Sequence, residues 1–159
     1  MLRKDKKSIT FQLEKFFPYL VRIYYRAVSQ SVSSIYEKDY DLTVSEWRAM
    51  AVLGNSKDPL SAGEIVTRSS IDKVKVSRAI AGLTKAGYLE RRVDEGDRRK
   101  VALQLTRSGH YVFEELVEKV QELENKLLDG FSPEEKELLI SFMARVRSNA
   151  EGLDKSQDD

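Results

Sequence analysis

A chain of 159 residues with 41% hydrophobic and 33% charged side chains has the composition of a soluble globular protein with a highly charged surface, and leaves no room for a separate catalytic domain. No cysteine and a single histidine exclude disulfides, thiol nucleophiles, cysteine redox switches and multi-histidine metal sites, so no metal or cofactor is expected. The net charge of +1 conceals an uneven spread: residues 1–60 carry 10 basic and 7 acidic side chains, 61–106 carry 10 and 6, and 107–159 carry 7 and 13. An acidic C-terminal third repels a polyanion, which leaves the middle segment, helped by the N-terminus, as the place for any nucleic-acid face.

In chain order, the basic start Arg3-Lys4-Asp5-Lys6-Lys7 is not expected to head a signal peptide, because Glu14 and Lys15 interrupt the stretch where an apolar core belongs. No apolar run approaches membrane-spanning length, so no membrane partner is expected and the cytoplasm is the default compartment. From Phe11 to Tyr36 the positions Phe16, Leu20, Ile23, Ala27, Ser31 and Ile35 recur at helical spacing, with Pro18 predicted to kink this helix or to start a new one. Phe17, Tyr19, Tyr24, Val28, Val32 and Tyr36 widen its apolar surface, which predicts packing both on its own domain and on a second subunit.

Thr43 with Glu46, Ser61 with Glu64 and Ser132 with Glu135 are capping-box pairs that mark helix starts. The first opens a short helix through Trp47, Met50 and Val52 that closes near Gly54; the second opens another with Ile65 and Val66, ending near Ser69-Ser70. Asp72 caps the next, whose apolar stripe Val76, Ile80 and Leu83 leaves Lys73, Lys75, Ser77 and Arg78 off the core-facing side. Gly87 stands where a left-handed terminator is wanted. Tyr88 to Val93 and Arg99 to Leu105 read as two strands joined by the turn Asp94-Glu95-Gly96-Asp97, with Val101, Leu103 and Leu105 on one face. After Thr106, a further cap, Phe113, Leu116, Val120, Leu123 and Leu127 form a seam of coiled-coil type that ends near Gly130, and Ser132 starts a last helix through Leu139, Phe142, Met143 and Val146. Such a seam with no other domain to meet predicts a dimer built from the first helix and the last two.

The segment from Ser61 to Thr106 resembles the winged helix-turn-helix of the MarR family of bacterial transcription regulators. Val76-Ser77-Arg78 is similar to that family's recognition-helix segment, Leu83 with Gly87 to the helix end leading into the first wing strand, and Asp97-Arg98-Arg99, followed by Leu105-Thr106, to its wing signature. More loosely, the resemblance extends over the order of helices from about Phe11 to Leu153. It implies a mainly α fold with a small β-hairpin wing: a winged helix-turn-helix part at about 43–106, and helical dimerisation parts at about 11–40 and 107–153 of one domain spanning 1–159.

The expected function is that of a homodimeric regulator of transcription that binds a near-palindromic operator in double-stranded DNA, acts as a repressor, and is released by a small ligand, with an aromatic acid as the first guess. Lys73, Lys75, Ser77 and Arg78 supply donors of the length a major-groove helix needs. In the wing, the resemblance gives Arg99 the minor groove and Asp97 a salt bridge that holds it, while Arg98 and Lys100 share the phosphate contacts; which basic side chain penetrates stays open. The same family binds effectors between the first helices and the winged segment. Tyr24, Trp47, Arg22 and Arg26 are the candidates there, against the competing readings of core aromatics and solvated arginines.

Two other functions are consistent with parts of the pattern. The basic face suits an interaction module for an acidic protein, and Ser70 with Lys73 has the Ser-x-x-Lys spacing of some acyl-transfer enzymes. The latter pair lacks any companion motif, His110 has no nucleophile partner, and the glutamates from Glu114 to Glu124 read as a solvated helix face, so enzymatic activity is not expected.

Overall fold

A computed structural model describes residues 11–93 and 101–155. A 3-10 turn at Leu13–Lys15 leads into α1 (Phe17–Tyr40), followed by α2 (Val44–Gly54), α3 (Ala62–Ser69), α4 (Lys73–Lys85), β1 (Leu89–Val93), β2 (Val101–Leu105), α5 (Arg107–Leu127) and α6 (Pro133–Lys155). The protein is thus mainly helical, with one antiparallel hairpin in the register Leu89 to Leu105, Arg91 to Leu103 and Val93 to Val101. No described helix is long and apolar enough to cross a membrane. The expected hairpin turn, Asp94 to Asp97, lies outside the described residues, as do the wing candidates Asp97, Arg98, Arg99 and Lys100.

Local chemistry sets most helix starts. Thr43 Oγ1 accepts from the Glu46 amide at 3.2 Å while Glu46 accepts from the Thr43 amide at 2.8 Å; Ser61 with Glu64 and Ser132 with Glu135 repeat the same reciprocal pair. Pro18 resolves as a start: it sits in the first turn of α1, after the extended Phe16, where its missing N–H leaves no helical bond unmade. The first helix therefore begins six residues later than the apolar spacing predicted, and it runs on to Tyr40.

Two compact units divide within α5, Met1–Val120 and Gln121–Asp159. In the first, α2, α3, α4, the hairpin and the N-terminal half of α5 enclose one core in which Met50, Ile65, Val76, Leu83 and Leu116 are fully buried. Trp47 stacks between Tyr36 and Phe113, with ring centroids 6.1 and 6.4 Å away. Of α1 only Tyr36 is buried, with Val32, Ile35 and Tyr40 packed around it. The stripe predicted from Phe16 onward is not a continuous core face: Phe16, Phe17, Val21, Ile23, Tyr24, Tyr25 and Val28 are exposed. The seam on α5 is likewise buried at Phe113 and Leu116 and opens towards Leu127. In the second unit the apolar side chains of α6, among them Leu138, Ile140, Phe142 and Met143, face solvent.

The junction behind α4 is the tightest part of the first unit. Gly87, at φ +79, ends the helix, and the Tyr88 amide then reaches back to the Leu83 carbonyl at 2.9 Å, which is why β1 starts one residue later than predicted. Thr106 Oγ1 donates to the Gly87 carbonyl at 2.7 Å and accepts from the Gly109 amide at 3.0 Å, fastening the end of α4 to the start of α5 through one side chain. Gly109 is required there, because a Cβ would lie 2.0 Å from the Tyr88 carbonyl oxygen. On β2, Leu103 and Leu105 reach the core as expected, whereas Val101, at the start of the strand and paired with Val93, is exposed.

Candidate nucleic-acid interface

Helix α3, the left-handed Ser70 (φ 55) and the buried Ile71 deliver the chain to Asp72, whose Oδ1 accepts from the Lys75 amide at 2.9 Å and starts α4. Val76, Ala79, Ile80 and Leu83 bury one side of α4 and so turn the other side outward. On it Lys73, Lys75, Ser77 and Arg78 are all exposed, as their offset from the apolar stripe predicted. Lys75 Nζ lies 3.1 Å from Asp72 Oδ2, so the cap also holds the lysine.

Hydrogen bonding from the Lys75 amide, and then the Lys75 ammonium, keeps the Asp72 carboxyl below its ordinary pKa. A depressed folded pKa gives a contribution to stability that is present above the unfolded carboxylate pKa and is lost as the pH falls through the folded value. Asp72→Ala is expected to lower the melting temperature at neutral pH and Asp72→Asn to lower it less, since asparagine caps as well as aspartate. The gap between wild type and Asp72→Ala should narrow on acidification, which thermal melts across the acid range will check.

A cavity of about 490 Å³ lies between α3, α4 and the hairpin, with Lys73, Ser77 and Arg91 as its polar wall and Val76, Ile80 and Leu103 among its apolar lining. The effector candidates are placed elsewhere. Arg22, Tyr24 and Arg26 are exposed on the N-terminal half of α1, while Trp47 is half-buried in its stack with Tyr36 and Phe113. Ser70 terminates α3 in a left-handed turn and Lys73 begins α4, both at the surface.

Several side chains near the interface were not singled out from the sequence. Arg91 reaches the cavity from β1, and its place two residues after the buried Leu89, on the same face of the strand, is the signal that points it there. Val74 is exposed on α4 although it is apolar, and it too falls off the Val76, Ile80 and Leu83 period. Glu115 on α5 accepts from the Tyr40 hydroxyl at 2.5 Å and the Tyr111 hydroxyl at 2.9 Å, and Lys119 donates to Asp39 at 2.6 Å, so the end of α1 is tied to α5. The Tyr40 bond, then the Tyr111 bond, holds the Glu115 carboxyl below its usual range. No sequence period marks the Tyr40–Glu115 and Asp39–Lys119 pairs, whose members are 75 and 80 residues apart.

Comparison with known proteins bears on both fold and interface. Residues 40–100 match a sequence model described as MarR family. The HTH-type transcriptional regulator PecS of Dickeya dadantii (strain 3937) is 32% identical over 124 residues, which cover 77% of this chain and 74% of that protein. Among solved structures, a DNA complex of S. aureus MepR superposes with a TM-score of 0.75 at 23% identity, covering 86% of this chain and 98% of the other. PcaV from Streptomyces coelicolor, in complex with its natural ligand, gives a TM-score of 0.73 at 18% identity, covering 89% and 99%.

Proposed function

We propose that this chain, which belongs to the MarR family of winged helix-turn-helix transcription regulators, works as a homodimer that sets two copies of α4 in successive major grooves of a near-palindromic operator and represses transcription until a small ligand releases it. Membership makes the chain a DNA-binding regulator of transcription and not an enzyme. The observation that carries the proposal is the two-sidedness of α4: one flank is buried at Val76, Ala79, Ile80 and Leu83, and the other presents Lys73, Lys75, Ser77 and Arg78 to solvent. The wing extends the contact in this reading, with Arg99 in the minor groove, Asp97 holding it, and Arg98 and Lys100 on phosphates. Binding an operator places the protein in the cytoplasm.

The dimer is supported by the apolar side chains left exposed on α1 and α6, which a second protomer would cover. The division of labour proposed is a reading head at about 43–106 with dimerisation helices at about 11–40 and 107–153. Selection of genomic fragments by the purified protein tests the whole reading: the retained sites should be near-palindromes with half-site centres about 10 base pairs apart. Retention of fragments with no common sequence would leave the basic face to a different, acidic partner.

Release by a ligand is supported by the PcaV structure, which holds its natural ligand in the same fold. A small aromatic acid is the proposed effector, its carboxylate paired with Arg22 and Arg26, one turn apart on the exposed half of α1. Tyr24, on another side of that helix, and Trp47, stacked on Tyr36 ten residues beyond Arg26, do not share that face. The ligand lowers DNA affinity only as far as it prefers a protein conformation with the wrong separation of the two α4 helices. Linkage then requires operator DNA to weaken the ligand by the same factor, about 5- to 150-fold for couplings of ordinary size. Titration of aromatic carboxylates into the protein with and without operator reads that factor directly. Equal ligand affinity in the two titrations would remove the ligand from the switch.

A further inference from the structure

We infer that Val74 reads a thymine, by packing its methyl groups against the C5 methyl in the major groove. The inference rests on the reading of α4 as the groove-entering helix. Large hydrophobic side chains exposed between Leu42 and Leu105 are few among the described residues: Val44 at 41%, Val101 at 39% and Val74 at 61%. Val74 is thus the most exposed of them, and it sits in the first turn of α4, the end that meets base edges in a helix-turn-helix.

Its neighbours make that surface one for a polyanion. Lys73 and Lys75 flank it in sequence, and Ser77 and Arg78, three and four residues on, share its face of the helix. The fold does not account for a valine there. It has no place in the core, and a β-branched side chain at an exposed helix position is a poorer helix former than the lysines beside it. A base pair offers one matching apolar feature in the major groove, the thymine methyl. The rise from Val74 to Arg78 is about 6 Å, or about two base-pair steps of ~3.4 Å, so the thymine belongs within about two base pairs of the pair met by Arg78.

Replacing thymine by deoxyuridine removes that methyl and keeps the Watson–Crick edge, which makes a direct test. With full-length protein and a duplex taken from the selected fragments, each thymine is replaced in turn in both half-sites, and Kd is measured for wild type, Val74→Ser and Val74→Thr. One position is expected to weaken wild type by about fourfold per half-site, about fifteenfold for the symmetric duplex, on the transfer value of a buried methylene. Val74→Ser should lose a similar factor on the thymine duplex and be indifferent to uracil at that position, with Val74→Thr, which keeps one methyl, between the two.

If Val74→Ser responds to uracil at every position as wild type does, or if no position affects wild type, the inference is overturned while the operator reading stands. Failure of wild type to retain any specific duplex overturns the operator reading itself, and this inference with it.

Discussion

Arg78→Ala should weaken binding to the selected operator by about 1–3 kcal/mol per half-site, roughly 5- to 150-fold, the range for losing a side chain that reads a base edge. Its melting temperature should stay close to that of wild type, because Arg78 is exposed on the side of α4 opposite the buried Val76, Ile80 and Leu83. Lys75 makes an informative contrast. If its ammonium meets phosphate on leaving Asp72, Lys75→Ala should lower affinity uniformly across sequences and reduce the slope of log K against log salt by about one per half-site. Fluorescence anisotropy with the operator and a scrambled duplex at several salt concentrations separates the two patterns. Equal affinity of Arg78→Ala and wild type for the operator would take Arg78 out of recognition.

The second large effect is on stability. Gly109→Ala places a methyl 2.0 Å from the Tyr88 carbonyl oxygen, and that carbonyl cannot yield easily. Tyr88 is held by its amide to Leu83 at 2.9 Å and by its oxygen, which accepts from the Thr106 amide at 3.0 Å. Relief requires α5 to move off the end of α4, at a cost of about 3 kcal/mol, the upper range for overpacking. For a chain of this size that is a fall in Tm of about 6–12 °C. Gly152→Ala is the matched control, since a Cβ there meets nothing within 4 Å, and it should leave Tm unchanged or slightly raised. An unaltered Tm for Gly109→Ala would mean that the α4–α5 junction is looser than its hydrogen bonds indicate. DNA binding by the same variant should fall with stability, because Thr106 joins Gly109 to the end of the reading helix.

Much of this fold is legible in the chain because its helix starts are set by bonds within a few residues. Thr43 with Glu46, Ser61 with Glu64, Asp72 and Ser132 with Glu135 each supply a cap whose donors and acceptors are neighbours in sequence. The exposed residues of α4 follow from the same logic, since a buried stripe on a helix dictates what lies opposite. Where long-range packing decides, the sequence misleads. The apolar spacing from Phe16 to Ile35 is real, yet within the chain only its end meets a core, because α2 and α5 reach α1 near Tyr36 and Tyr40. Trp47 falls in the aromatic group considered for an effector, but its stacking on Tyr36 and Phe113 depends on partners 11 and 66 residues away. Val74 and Arg91 were visible as departures from period, and only their exposure and the cavity give those departures a meaning.

The hairpin is two strands wide, which leaves each strand with an outer edge and raises the question of aggregation in an otherwise helical protein. On β2 that edge is occupied at its centre. The Leu60 amide donates to the Leu103 carbonyl at 2.9 Å and the Leu103 amide donates to the Leu60 carbonyl at 2.8 Å, so the loop before α3 takes the place an incoming strand would need. On β1 the exposed Glu90, Arg91 and Arg92 put consecutive charges along the edge, and an identical strand brought alongside would have to bury or oppose them. One edge is thus plugged and the other guarded by charge, so crowding many copies onto neighbouring DNA sites does not offer the hairpins a template for stacking into fibrils.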